Sequence, residues 1–168
     1  MGLRLPLVYN TVAYNSMESL EILEGIIDIF MPDLKFLDPI LSKKYLKAED
    51  YPKAAKKVIK EMHRQVGELK TDENGIALRG LLLRHLVMPG FLNETSQIMR
   101  FLAKEVSPNT YVNIMNQYRP SGKVGPNHFA EINRKVYPEE YEDAFRFARA
   151  AGLNRFNNRN SGFQIISN

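Results

Sequence analysis

The stretch Ile26-Ile27-Asp28-Ile29-Phe30-Met31-Pro32-Asp33-Leu34-Lys35-Phe36 constrains the fold more than any other part of the chain. Its first half is apolar and β-branched and follows Gly25, the pattern of a buried strand. Side chains two apart on a strand share a face. Ile27, Ile29, Met31, Asp33 and Lys35 therefore form one row, with a carboxylate and an ammonium where the apolar run stops. Opposite charges at the carboxyl end of a buried parallel strand lie where α/β folds build their sites. The same spacing also suits a self-satisfied surface ion pair, which contributes little.

The flanks repeat the theme. Leu5 to Thr11 reads as a strand, and Asn15 with Glu18 three residues on reads as a helix N-cap and its reaching carboxylate. The helix turns Met17, Leu20 and Leu23 inward and ends at Gly25. Strand, helix and strand within about thirty residues make a parallel βαβ unit. Phe36 to Glu49 reads as irregular, with Asp38-Pro39 as a turn. Asp50 caps a helix with Pro52 in its first turn, which buries Ala55, Val58, Ile59, Met62 and Val66 and ends at Gly67.

Lys70 to Gly75 is a polar turn, and Ile76 to Met88 is a strand closing at Pro89-Gly90. Asn93 or Thr95 caps the next helix, which buries Ile98, Met99, Leu102 and Val106. Thr110 to Tyr118 is a fourth strand, and Arg119 to Asn127 a loop. Pro138-Glu139-Glu140 opens the last helix, with acids at its positive end, and Gly152 closes it. The sum is four strands alternating with four helices, an α/β chain with a parallel sheet. Asn10 and Thr11, Asp33 and Lys35, Arg84 and His85, and Asn116 and Gln117 stand at successive strand ends. In a β/α barrel those ends share one rim. The division expected is residues 1–156 as half of such a barrel and 157–168 as an asparagine-rich tail, with Phe163 to Ile166 offering a short edge strand.

Composition narrows the chemistry. None of the 168 residues is cysteine, which excludes disulfides and any thiolate-held cluster within this chain. The net charge is +4, and its densest run is Lys53, Lys56, Lys57, Lys60 and Arg64. On a helix these line a solvated face with no interleaved aromatics, so no nucleic-acid partner is expected. Apolar runs fall far short of the roughly 20 residues that cross a bilayer, and the start lacks a secretory pattern. A cytoplasmic protein without membrane contact is the expectation.

Three ordered motifs resemble a known family. They are Asp33-Leu34-Lys35 preceded by Met31, Arg84-His85-Leu86-Val87-Met88-Pro89-Gly90, and Val112-Asn113-Ile114-Met115-Asn116-Gln117-Tyr118-Arg119-Pro120, with Arg64-Gln65-Val66-Gly67 and Ala151-Gly152-Leu153-Asn154-Arg155 fitting around them. Together they resemble the pyruvate formate-lyase activating enzyme group of radical S-adenosylmethionine proteins, in its uncharacterised iron–sulfur branch, from about Leu5 to Phe156. The resemblance implies the C-terminal half of a partial (β/α)6 barrel. It also implies two cofactors, S-adenosylmethionine and a [4Fe-4S] cluster. Reductive cleavage of the sulfonium would give a 5′-deoxyadenosyl radical that takes hydrogen from a partner protein.

By that resemblance, Asn10, Thr11, Asp33, Lys35, His85, Asn116 and Gln117 bind cofactor, with no catalytic or metal-ligating residue of their own. The Asp33 and Lys35 pair would sit near the methionyl carboxylate. Asn10-Thr11 stands where the activases carry an aspartate–threonine pair, so one formal charge is missing. The cluster cysteines and the glycine-glycine-glutamate motif of the family's first half are absent, so the chain alone is expected to be inactive. A fragment, a split-gene product or a misplaced start would each explain this, and the partner would be the missing N-terminal half on a separate polypeptide. The alternative from another class is a non-catalytic half-barrel that docks on a second polypeptide. His85, between apolar neighbours, suits either the rim or a hydrogen-bonded place in the core.

Overall fold

The computed structural model describes residues 5–157. Six strands occur among them: β1 (Val8–Thr11), β2 (Ile29–Pro32), β3 (Lys70–Thr71), β4 (Ala77–Leu86), β5 (Tyr111–Met115) and β6 (Arg155–Phe156). Five α-helices lie between them: α1 (Met17–Leu23), α2 (Pro39–Leu46), α3 (Tyr51–Val66), α4 (Leu92–Phe101) and α5 (Pro138–Ala151), with α2 and α3 consecutive. The sheet order is β1-β2-β4-β5-β6, all parallel, and β3 pairs antiparallel with β4 off this path. The α/β class and parallel sheet match the expectation. Among the described residues the sheet stays open, with β1 at one edge and β6 at the other.

Register divides the sheet into two unlike faces. Phe30 lies beside Leu81, and Leu83 and His85 beside Val112 and Ile114. Phe30, Leu81, Leu83, Val112 and Ile114 join the main core with the inner faces of α1, α3, α4 and α5, and Tyr9 meets Phe30 edge to face at 6.0 Å. On the other face Ile29, Met31 and Leu82 form a second, smaller cluster with Leu69 and Ala77, and Tyr111 packs against it. Past its upper end the same face turns polar: Asp33 lies beside Arg84, and Arg84 beside Asn113.

Several local expectations are corrected. Phe36 to Glu49 is not irregular, because Asp38 accepts from the Ile40 and Leu41 amides and starts α2 with Pro39 in place. The first helix is capped by Ser16, not Asn15; the Ser16 hydroxyl takes the Ser19 amide, and Asn15 bonds Thr11 and Tyr9 instead. Asp50 precedes α3 without capping it, since its carboxylate accepts from the Tyr14 hydroxyl. Neither Asn93 nor Thr95 caps α4, which starts one turn earlier behind Phe91. Lys70-Thr71 is half of a hairpin closed by Asp72, whose carboxylate takes the Asn74 and Ile76 amides. Met17 stays exposed, and Ile27 joins the main core rather than the Ile29–Met31 face because the strand begins only at Ile29.

Arg155–Phe156 is a strand the periodicity did not reveal, two residues being too few to alternate. The edge strand expected at Phe163 to Ile166 lies outside the described residues. Gly80 is required where it stands. Its φ is +124°, and a Cβ there would come within 2.3 Å of the Glu68 carbonyl oxygen.

Candidate functional site

The parallel strands all run the same way, so their carboxyl ends gather at one edge of the sheet. Asp33 continues β2 after Pro32, its amide donating to the Thr11 carbonyl at 2.8 Å. Its side chain falls on the face without helices, where Arg84 Nε lies 2.9 Å from Oδ1 and Lys35 Nζ 3.9 Å from Oδ2. The first contact is close but misaligned, so Asp33 Oδ1 and Arg84 Nε are an ion pair without an N–H···O bond. Arg84 Nη1 also reaches Asn10 Oδ1 at 3.4 Å. Asn10, Asp33, Lys35 and Arg84 thus form one connected group. The shared side expected for Asp33 and Lys35 is observed.

Two supports hold that strand end. The Tyr51 hydroxyl donates to the Asp33 carbonyl at 3.0 Å and accepts from the Lys35 amide at 3.3 Å. Burial raises its pKa, so it remains a neutral donor. One turn into α4, the buried Glu94 accepts from the Leu37 and Asp38 amides at 2.6 and 3.0 Å. A carboxylate serving two backbone donors fixes where the segment after Lys35 leaves the sheet. Glu94 follows Asn93 in the stretch expected to hold the α4 cap, and only the fold brings it to residues 57 and 56 positions away.

The remaining expected residues separate. Thr11 is one place beyond Asn10 on a strand and so falls on the opposite face, where its hydroxyl donates to Asn15 Oδ1 at 2.7 Å. His85 is likewise one place beyond Arg84, and it is 1% exposed. Its Nδ1 lies 2.9 Å from the Leu34 carbonyl and its Nε2 2.9 Å from the Thr95 hydroxyl. A carbonyl can only accept, so Nδ1 carries the proton and Nε2 accepts from Thr95. Burial presses its pKa down to about 4, with the Leu34 carbonyl opposing. His85 is a neutral core residue.

Asn116 and Gln117 lie beyond the end of β5, and Gln117 Nε2 lies 3.3 Å from Met115 Sδ. Arg84, not His85, is the β4 member of the group. Its signal was the alternation itself: Leu82 and Arg84 share a parity with Asp33 that His85 lacks.

Beside Lys35 the rim opens into a cleft of about 590 Å³ between α2, the ends of β4 and β5, and the segment 121–132. Among the described residues no cluster of histidine, cysteine, aspartate and glutamate could hold a metal. An iron–sulfur cluster does not fit this chain's donor set, since its 168 residues include no cysteine. No helix among the described residues is long and apolar enough to cross a membrane.

No family model matches the chain, and no solved structure matches it. Over 150 residues it is 31% identical to an uncharacterized protein of Methanocaldococcus jannaschii, a match that covers 89% of this chain and 39% of that protein. The chain therefore spans well under half the length of the curated relative it matches.

Proposed function

We propose that this chain is the ligand-positioning, carboxyl-terminal half of a partial β/α barrel of the radical S-adenosylmethionine type, working in the cytoplasm with a cysteine-bearing N-terminal half. The observation that carries the reading is the gathering of Asn10, Asp33, Lys35 and Arg84 at the carboxyl ends of three neighbouring parallel strands. An ammonium and a guanidinium around one carboxylate suit a ligand that bears both an amino and a carboxylate group, such as the methionyl end of S-adenosylmethionine. In this reading Lys35 meets the ligand carboxylate, Asp33 its amino group, and Arg84 orients Asp33. Reductive cleavage of the sulfonium needs thiolate-held iron that these residues do not supply, so no reaction step is assigned to this chain alone.

A second reading, a non-catalytic module that docks on another polypeptide, draws on the open edge at β1. There Leu7 and Val8 are 40% and 41% exposed, and the strand has a single sheet neighbour among the described residues. Exposed apolar edges favour strand pairing with a partner. The two readings part on ligand binding. Calorimetric titration with S-adenosylmethionine is expected to give saturable binding that Lys35→Met weakens about tenfold, a loss of roughly 1.4 kcal/mol. The chain is also expected to remain colourless after anaerobic iron–sulfide reconstitution. Absence of binding at millimolar ligand, or an unaffected Lys35→Met, would favour the docking module.

A further inference from the structure

The cleft beside Lys35 has its own chemistry. Among its lining residues are Lys35, Lys44, Lys47 and Lys123, and none of those lining residues is an aspartate or glutamate. Just outside it Glu131 pairs with Lys44 at 2.5 Å and also accepts from the Tyr45 hydroxyl. The Lys44 ammonium, and after it the Tyr45 hydroxyl, hold Glu131 down to about 2, while burial and then the Glu131 contact raise Tyr45 to about 12. Glu131 is therefore committed to closing the cleft, tying α2 to the 130–132 turn. Lys47 meets the Lys44 carbonyl and the Phe129 ring, and neither it nor Lys123 has a carboxylate partner among the described residues. Two positive charges are left facing the opening without a counter-charge.

The wall behind them is aromatic. Phe36 stacks on Tyr45 at 5.6 Å and 20°, and Tyr45 meets Phe129 at 5.4 Å. Lys47 and Phe129 also hold the backbone in the left-handed region, at φ +61° and +56°. A side-chain-bearing residue there costs on the order of 1 kcal/mol, and such residues cluster at binding sites. A volume near 590 Å³ falls in the range of small-molecule sites, where apolar walls and a few convergent polar groups set the choice of ligand.

We infer that this cleft binds a small organic anion, a phosphate or carboxylate carried on a planar apolar body, with Lys47 and Lys123 meeting the charge and the Phe36–Tyr45–Phe129 wall the body. The inference stands whether or not Asp33 and Lys35 hold S-adenosylmethionine, whose net charge is positive. For that reason Lys35, which borders both, is left out of the test.

The intact chain is titrated calorimetrically with 2-naphthyl phosphate, 2-naphthoate and neutral 2-naphthol. Saturable binding is expected for at least one anion, with phosphate and carboxylate distinguished by which binds tighter, and at least a tenfold weaker response to the naphthol. Lys47→Gln and Lys123→Gln are each expected to weaken the anion roughly fivefold. Lys104→Gln, which is not among the residues lining the cleft, should leave it unchanged, with unfolding temperature confirming that each variant folds. Added salt should weaken the anion and not the naphthol. Equal affinity for naphthol and anion, wild-type affinity in both lysine variants, or no binding by either anion would each overturn the inference. Binding of an acidic peptide with no response to the naphthyl anions would overturn it too, in favour of a protein surface.

Discussion

The two faces of the sheet come from the same strands and serve opposite ends. The face carrying Phe30, Leu81, Leu83, Val112 and Ile114 is sealed by helices and holds the main core. Its polar members are inward and satisfied, as His85 is between Leu34 and Thr95. The other face carries a small cluster and then Asp33, Arg84 and Asn113, with charges near solvent and atoms lacking aligned bonds. Moving one residue along a strand moves a side chain from one regime to the other. The main core lies on the first face, and the connected group of Asn10, Asp33, Lys35 and Arg84 on the second.

The largest effect should come from the sealed face. Leu83 is fully buried, and Leu83→Ala is expected to cost about 3 kcal/mol, transfer and cavity terms together. Urea unfolding would show this as a lowered midpoint at unchanged slope. A loss below about 1 kcal/mol would mean that this face is not the load-carrying core.

Next is the acid limb. A buried histidine held down to about 4 is neutral in the folded chain, while the unfolded chain takes up a proton near pH 6.5. The unfolded state therefore binds more protons as pH falls, so His85 makes the fold lose stability from about pH 6.5 towards 4 and has no such effect above that window. The full loss is on the order of 3 kcal/mol. His85→Gln should be less stable at pH 7 and lose less between pH 7 and 4.5. Parallel wild-type and variant curves across that range would place the ring in contact with water.

The smallest effect belongs to the open face. Asp33 and Arg84 are partly exposed and misaligned, so their pairing should contribute little. A double-mutant cycle with Asp33→Asn and Arg84→Met is expected to give a coupling below about 1 kcal/mol in stability. A coupling near 3 kcal/mol would make the pair a structural element like those on the sealed face.

Much of this was legible in the residues. Alternation in Ile29-Phe30-Met31 placed Asp33 and Lys35 on one side of one strand end, and the two do meet. Proline and glycine at Pro52, Gly67, Pro138 and Gly152 bounded α3 and α5 correctly. What failed was of two kinds. Caps were misjudged because several polar residues stood within one turn of each helix start, and a side chain's choice between its own helix and a distant partner is tertiary. Asp50 went to Tyr14, and Asn15 to Thr11 and Tyr9. Strand ends were treated as single points, so Thr11 and His85 were grouped with neighbours that face the other way.

The sequence by itself determined the α/β class with its parallel sheet and the row of residues that ends in Asp33 and Lys35, because these follow from periodicity within single segments. Only the tertiary structure decided that Arg84 rather than His85 completes the group, that Glu94 anchors the segment after Lys35, and that four lysines from three segments share one cleft. Those outcomes depend on register between strands and on distances between residues far apart in the chain. Hydrophobic period and turn chemistry act over a few residues, and neither carries that information.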